Sequence, residues 1–458
     1  MRKEFHVGRR RSFLKSGILA GAGILISNSL FSNFSIAGTT GSSMPAILGG
    51  VRSHKRPWPS WPRWDKNSDE LRVLKVLRSG VWSRDKVVEE FETTWARTIG
   101  AKRSLAVVNG TNALIIALKQ HDIGGGDEVI MPPYTFIATA QAVFSTGAIP
   151  VFADIDRDTY QIDPKKIEEK ITPRTRAIVP VHICGLPADM VSIMEIARRH
   201  NLIVVEDACQ AWMAEIANKK VGTFGHAGCF SFQNSKNIPI GEGGAIVSDD
   251  EAFIDRCYSY HNFGCIYGTV KGTSGFVGPG TKLRITEYQA AIGLAQLERL
   301  ELQTDMRNHH ATYLKHHLDG IPGIRTYSVY PNVTRLALHL FPFRYDPDQF
   351  HGLTRNEFIQ ALTAEGILCE EGYAPLNKMS FIENTFKSKN FRLMYDAETL
   401  NIENYNRNNQ CLINDKVCEE TVWLPQNVLL GSRDDMNDII NAITKIYDHS
   451  AQIKKKFS

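Results

Sequence analysis

Leu202-Ile203-Val204-Val205-Glu206-Asp207-Ala208-Cys209-Gln210 is the stretch on which the fold turns: four apolar, mostly β-branched residues run without alternation into two acids. An apolar run with no polar side is what a strand buried on both faces carries. Met190 to His200, just before it, has a helical pattern, while Gly228 to Phe232 and Gly244 to Val247, after it, read as further strands. The rhythm extends upstream. Leu105 to Val108 precedes a helix from Thr111, Glu128 to Met131 precedes a helix from Thr135, Pro150 to Ala153 precedes helical Pro164 to Ile171, and Ala177 to Ile183 is again strand-like. Such alternation predicts an α/β fold with a mostly parallel mixed sheet flanked by helices, and ligands then bind at the strands' carboxyl ends.

Farther out, a long helix from Glu287 to about Asp305 closes this unit. Helical segments at Thr354 to Glu365 and Asp435 to Ile446 suggest a smaller C-terminal α/β domain. On the other side lie a helix, Ser68 to Leu77, and before it a Gly/Pro/Ser/Trp-rich stretch that includes Pro57-Trp58-Pro59-Ser60-Trp61-Pro62 and reads as an arm or linker. The expected organisation is a leader over 1–37, an arm over 38–70, a large domain over 71–305 and a small domain over 306–458.

The leader has three zones: a basic stretch ending Arg10-Arg11-Ser12-Phe13-Leu14-Lys15, an apolar run from about Gly17 to Ile26, and a small-x-small site at Ser35-Ile36-Ala37. It resembles the bacterial twin-arginine signal, whose route carries folded proteins, so the expected localisation is periplasmic or exported. The alternative is a membrane anchor, but the apolar core is short against the ~20 residues a spanning helix needs. Gly21-Ala22-Gly23 in this run follows no strand and is leader composition, not a dinucleotide turn.

The 458 residues are 43% hydrophobic and 22% charged, an ordinary globular composition that excludes disordered, collagen-like and polytopic membrane classes. The net charge of +4 resides in the leader; without the first 37 residues there are 47 basic and 48 acidic side chains. A near-neutral remainder gives no electrostatic case for nucleic acid or anionic membranes, leaving the leader, if uncleaved, as the only membrane contact. Eight cysteines with no C-x-x-C pair imply neither a metal site nor a disulfide framework, although Cys411 and Cys418 are open to oxidation if exposed.

Three segments carry chemistry. After Leu105 to Val108, Asn109-Gly110-Thr111-Asn112 leads into a helix, and a strand, a tight turn and a helix N-terminus together offer N–H groups, a hydroxyl and a positive dipole end to a phosphate. The alternative is that Thr111 only caps its helix. Asp207 ends a strand where ligands bind, or is a plain strand-end acid. Lys236, between an apolar strand and Gly241-Glu242-Gly243-Gly244, is either a rigidly held amine with a lowered pKa or a solvated loop lysine.

In this order and spacing the three segments resemble the fold type I enzymes that use pyridoxal phosphate (PLP), and specifically the DegT/StrS family of sugar aminotransferases. The resemblance runs over Ser79-Gly80-Val81-Trp82-Ser83, Gly126-Asp127-Glu128-Val129-Ile130, Tyr134-Thr135-Phe136-Ile137-Ala138-Thr139, Val181-His182-Ile183-Cys184-Gly185, Ser231-Phe232-Gln233 and Ala290-Ala291-Ile292-Gly293, covering essentially all of 45–305, with looser agreement in the C-terminal third. It implies Lys236 as the Schiff-base lysine and proton shuttle, and Asp207 as the carboxylate on the pyridine nitrogen. Gly110, Thr111, Asn112 and Ser231 fall on the phosphate contacts and Gln210 beside the ring. Phe136 is implied as the stacking aromatic, with Tyr134 as the fallback.

The family's Gly-x-Asn-x-Arg is Gly280-Thr281-Lys282-Leu283-Arg284 here, so Lys282 replaces an asparagine that commonly reaches the cofactor phosphate of the partner subunit. The implied assembly is a homodimer with cross-subunit active sites. A histidine usual after Ser-Phe is Gln233, and another is Asn377, both on the family's substrate side. The resemblance therefore implies a PLP-dependent aminotransferase that takes an amino group from an amino acid, glutamate or glutamine, to a keto-sugar or cyclitol ketone. The alternatives are a PLP sugar dehydratase, against which Lys236 argues, and a non-catalytic PLP- or sugar-binding protein of regulatory or envelope function.

Overall fold

The computed structural model describes residues 44–272 and 275–457, so the leader and positions 38–43 of the arm lie outside it. Seven strands form the main sheet: β1 (Arg103–Val107), β2 (Glu128–Met131), β3 (Ile149–Phe152), β4 (Thr175–Ile178), β5 (Ile203–Asp207), β6 (Ala227–Ser231) and β7 (Gly244–Ser248), in the order β1-β7-β6-β5-β4-β2-β3. β7 runs antiparallel to both neighbours and the other strands run parallel to one another, giving the mixed, mostly parallel sheet predicted.

The run at 202–205 is apolar throughout because both sides of the sheet are covered. Val204 packs with Ile130, Ile178 and Phe230 under the helix α1 (Lys86–Ile99), and Val205 packs with Val129, Met131 and Cys229 under α2 (Gly110–Gln120). Successive strand residues face opposite sides, so a double-sided core leaves no position for a polar residue until the strand ends.

A second, antiparallel sheet orders Ile324–Thr326, Leu340–Tyr345, Thr421–Pro425 and Glu370–Glu371 side by side. Its aromatic face, with Phe341 and Phe343, joins a third core containing Ile439 and Ile443 of the C-terminal helix α4 (Arg433–Asp448). The helix α3 (Glu287–Leu318) continues well past Asp305, since Ala290, Leu294 and Leu300 pack in the main core while Ala311, Leu314 and Leu318 pack in this third one. Among the described residues no helix is long and apolar enough to cross a membrane. Cys411 and Cys418 are both buried, so the exposure that oxidation requires is absent.

The arm from residue 44 is clamped to the C-terminal part of the chain. The buried Glu365 carboxylate accepts the Ala46 and Ser53 N–H groups, each at 2.7 Å, and the Lys445 ammonium at 2.8 Å. His54, stacked 3.9 Å on Trp58, and Arg56 both reach Asp435 on α4. Asn427 holds the Pro59 carbonyl, and Trp61 then donates its indole N–H to the Lys236 carbonyl at 3.1 Å.

Candidate active site

The two acids ending β5 face opposite sides of the sheet and have opposite fates. Glu206 accepts the N–H groups of Gly222, Phe224 and Gly225, each at 2.7 Å, and lies 3.0 Å from His182 Nε2. His182 Nδ1 accepts the Ala188 N–H, so Nε2 carries the ring proton and donates it to Glu206. Glu206 is thereby a structural acid that ties down the 222–225 turn. Asp207, only 5% exposed, accepts the Thr139 hydroxyl at 2.8 Å and the Cys209 N–H at 3.2 Å, and among the described residues no cation is in ion-pair contact with it. It borders a cavity of about 790 Å³.

Lys236 enters the same cavity from the turn after β6. Gln233 builds that turn, its side-chain oxygen accepting Ser235 N–H at 2.8 Å and its carbonyl accepting Lys236 N–H at 2.8 Å. Burial pushes the Lys236 pKa down, with Cys209, Asp207 and Cys184 pulling the other way, so the amine is more readily neutral than a solvated lysine. Its Nζ lies 3.5 Å from His339 Nε2. Asn237 donates its amide to the Leu338 carbonyl, so its Oδ1 faces His339 Nδ1 as an acceptor at 3.2 Å. That fixes the tautomer: Nδ1 bears the hydrogen, and the Nε2 lone pair meets the lysine. Burial, with Lys236 and Arg307 nearby, holds the His339 pKa well below the usual imidazole value, so the ring stays neutral.

The helix N-terminus forms the third wall. Asn109, not Thr111, is the cap of α2, its side-chain oxygen accepting Asn112 N–H at 2.8 Å. The Thr111 hydroxyl is therefore released from capping and lines the cavity. Gly110 is required for close approach: a Cβ there would meet Cys209 Sγ at 2.7 Å and Ser231 Cβ at 2.8 Å. A cradle with free N–H groups and a hydroxyl at a positive helix end fits a phosphate, and a buried carboxylate with no cationic partner fits a protonated pyridine nitrogen. The residues present thus match pyridoxal phosphate.

Of the residues predicted from sequence, the structure brings Gly110, Thr111, Phe136, Asp207, Gln210, Ser231 and Lys236 to this one cavity. Phe136 is 57% exposed at its mouth, whereas the fallback Tyr134 is fully buried against Tyr160 and Tyr373 and does not line the cavity. Gln210 is locked by the Cys184 N–H on its oxygen and the Tyr373 hydroxyl on its nitrogen. Asn112 does not border the cavity, because its amide turns back onto Asn109 at 3.0 Å. Lys282 is exposed and away from its own chain's cavity. Sequence reasoning did not single out His339, Thr139, Tyr373, Trp61 or Gln426 for the site; Trp61, in its Pro/Trp-rich segment, was the one with a visible signal.

Comparison with known proteins agrees with this geometry. The model of the DegT/DnrJ/EryC1/StrS aminotransferase family matches residues 64–444. A putative L-glutamine:3-amino-2,3-dideoxy-scyllo-inosose aminotransferase of Micromonospora echinospora is 34% identical over 417 residues, covering 90% of this chain and 98% of that protein. The spore coat polysaccharide biosynthesis protein SpsC of Bacillus subtilis (strain 168) is 36% identical, covering 82% and 93%. The crystal structure of 3-amino-5-hydroxybenzoic acid synthase superposes with a TM-score of 0.76 at 30% identity, covering 86% and 99%.

Proposed function

Since the chain belongs to the DegT/DnrJ/EryC1/StrS aminotransferase family, and so to the pyridoxal-phosphate-dependent transaminases, we propose that it moves an amino group from L-glutamine or L-glutamate to the ring ketone of a cyclitol or keto-sugar. The observation that carries this reading is the meeting of Lys236, Asp207 and the N-terminus of α2 in one cavity. The glutamine and inosose in the relative's name support this donor and a cyclitol acceptor.

When bound, pyridoxal phosphate supplies an aldehyde that takes up the amino group and a pyridine ring that withdraws electrons from the reacting carbon. Asp207, steadied by Thr139, would keep a proton on the ring nitrogen. Thr111, Ser231 and the first N–H groups of α2 would hold the phosphate, with Phe136 available to cover the ring and Gln210 to border it. Asn112 acts on the phosphate only by shaping the helix end. Lys236 Nζ would hold the aldehyde end of the cofactor, and as a neutral amine it could take the proton from the donor's Cα and return it. His339 Nε2 receives an N–H of that amine and orients its lone pair. Over the whole exchange the donor's Cα gives up its amine and takes its new carbonyl oxygen from one water, leaving as a 2-oxo acid, while the acceptor's ketone carbon gains the amine and its oxygen departs as one water.

Addition of L-glutamine to the purified holoenzyme is expected to convert its visible absorbance to that of the aminated cofactor, and an inosose is expected to reverse it. No conversion with any amino donor would remove the transaminase reading.

A homodimer with cross-subunit sites belongs to the same proposal. Its support is the exposure of Phe263, Ile266 and Val277 in the segment leading to Lys282, and separately that of Phe136, since exposed large apolar side chains favour cover by a second copy. Light scattering on the eluted protein tests it, a monomer being the adverse result. Periplasmic export by the twin-arginine route rests on Arg10-Arg11-Ser12-Phe13-Leu14-Lys15; replacing both arginines by lysine is expected to retain the protein in the cytoplasm.

A further inference from the structure

Arg307, on α3, is fully buried, and among the described residues it has no carboxylate in ion-pair contact. Its Nε and Nη2 both donate to one acceptor, Gln426 Oε1, and its Nη1 has no partner. The guanidinium lies 5.3 Å from the Trp61 ring centre, and burial pushes its pKa down to about 9. A cation withdrawn from water without a counterion is costly. Lys445, buried comparably deeply, has Glu365.

The cost is borne beside the cavity. Trp61 and Gln426, which cover Arg307, both line it, as does His339. Because Gln426 Oε1 is committed to the guanidinium, the group this side chain has left for the cavity is its Nε2 amide, a pure donor. Donor N–H groups with an uncompensated positive charge behind them form a site for an anion. Of the two substrates, the cyclitol or sugar ketone is neutral at the reacting ring, whereas the amino donor always brings a carboxylate.

From this arrangement we propose that Gln426, backed by Arg307 and covered by Trp61, is the carboxylate subsite for the amino donor. The inference rests on the transaminase reading and deepens it by assigning donor recognition to residues outside the cofactor's own contacts. The donor's carboxylate accepts the Gln426 Nε2 hydrogens and compensates the guanidinium. After the first half-reaction the 2-oxo acid leaves, and the neutral acceptor enters without using the subsite.

Gln426→Glu tests this without endangering the fold, because the new carboxylate pairs with Arg307 while repelling the donor's. Glutarate, which resembles the donor's carbon chain but has no amine to transfer, serves as the probe, with binding read by calorimetry on the holoenzyme. Wild-type protein is expected to bind glutarate, and the variant to bind it about 10-fold or more weakly, the size of a lost hydrogen bond to a charged group. The variant's thermal midpoint should equal or exceed the wild type's, its KM for L-glutamine should rise, and its KM for the ketone acceptor should stay unchanged. Equal glutarate binding by both proteins, no binding by the wild type, or an equal rise in both KM values would overturn the subsite. If glutarate binding depends on Gln426 while no amino donor alters the wild-type absorbance, the transaminase reading fails and the anion site stands.

Discussion

Two buried charge clusters, one where the arm docks and one in the cavity, are built on opposite rules. At the arm, Glu365 is saturated by two backbone N–H groups, the Ser53 hydroxyl and Lys445, and Lys445 also donates to the Val51 carbonyl. In the cavity, Asp207 has only neutral donors and Lys236 faces a neutral imidazole, and behind its wall Arg307 shares one amide oxygen. A cluster whose charges cancel within the chain serves the fold. A cluster whose charges stay open is left for groups from outside to complete, which on the proposed reading are a pyridinium, an aldehyde and a carboxylate.

The sharpest way to break this contrast is Lys236→Ala. The expected loss in kcat is roughly 10²–10⁴-fold, the range spanned by proton-transfer groups. The protein should no longer be labelled by pyridoxal phosphate and borohydride, yet its urea midpoint should be unchanged or raised, since the desolvation cost of a buried amine with no ion-pair contact among the described residues is gone. A large drop in stability would instead make Lys236 a structural residue.

The mirror experiment is Glu365→Ala, which strands Lys445 and is expected to cost about 3–5 kcal/mol in urea unfolding. Turnover per folded molecule should remain unaltered; a matching fall in turnover would join the two clusters into one.

Acid tests the arm's second clamp. Burial tends to raise the Asp435 pKa, but hydrogen bonds from Ser432, Arg56 and His54 outweigh it and hold the pKa at about 2, below the ordinary value of 3.8. A depressed folded-state pKa means that the unfolded chain binds the proton first. This stabilisation is therefore complete above about pH 4 and is lost as pH falls towards 2. Asp435→Asn is expected to flatten the stability slope in that window, and an unchanged slope would assign it to other acids. The smallest effect is expected from Trp61→Phe, which removes the indole N–H from the Lys236 carbonyl at a cost of about 1 kcal/mol.

The main sheet was legible because its signal is local: an apolar run such as 202–205 carries its own evidence of double-sided burial. The second sheet was not. Pro342 interrupts the strand-like reading of Leu340–Tyr345, and the strand survives because its pairing with Ile324–Thr326 begins one residue later, at Phe343. Helix starts shifted by a few residues. The helix expected from Thr135 begins at Ala138, and the capping that was the alternative reading of Thr111 is done by Asn109. In the site, Asp207 and Lys236 were visible as strand-end and hairpin residues, but the pairing that orients Lys236 joins it to His339 across 103 positions. Arg307 and Gln426 are separated by 119, and neither sits in a distinctive local pattern. Contacts of that span are specified by the packed fold, not by neighbouring residues.

The arm has a consequence for how the molecule is made. Trp61 lines the cavity, yet the residues leading to it are fastened to Glu365, Asp435 and Lys445, so this part of the chain docks on segments synthesised more than 300 residues after it. While residues 433–448 are still within the ribosome, that wall has no scaffold. The main sheet is free to assemble during translation, but the Trp61 wall of the cavity must wait until residues 433–448 have emerged.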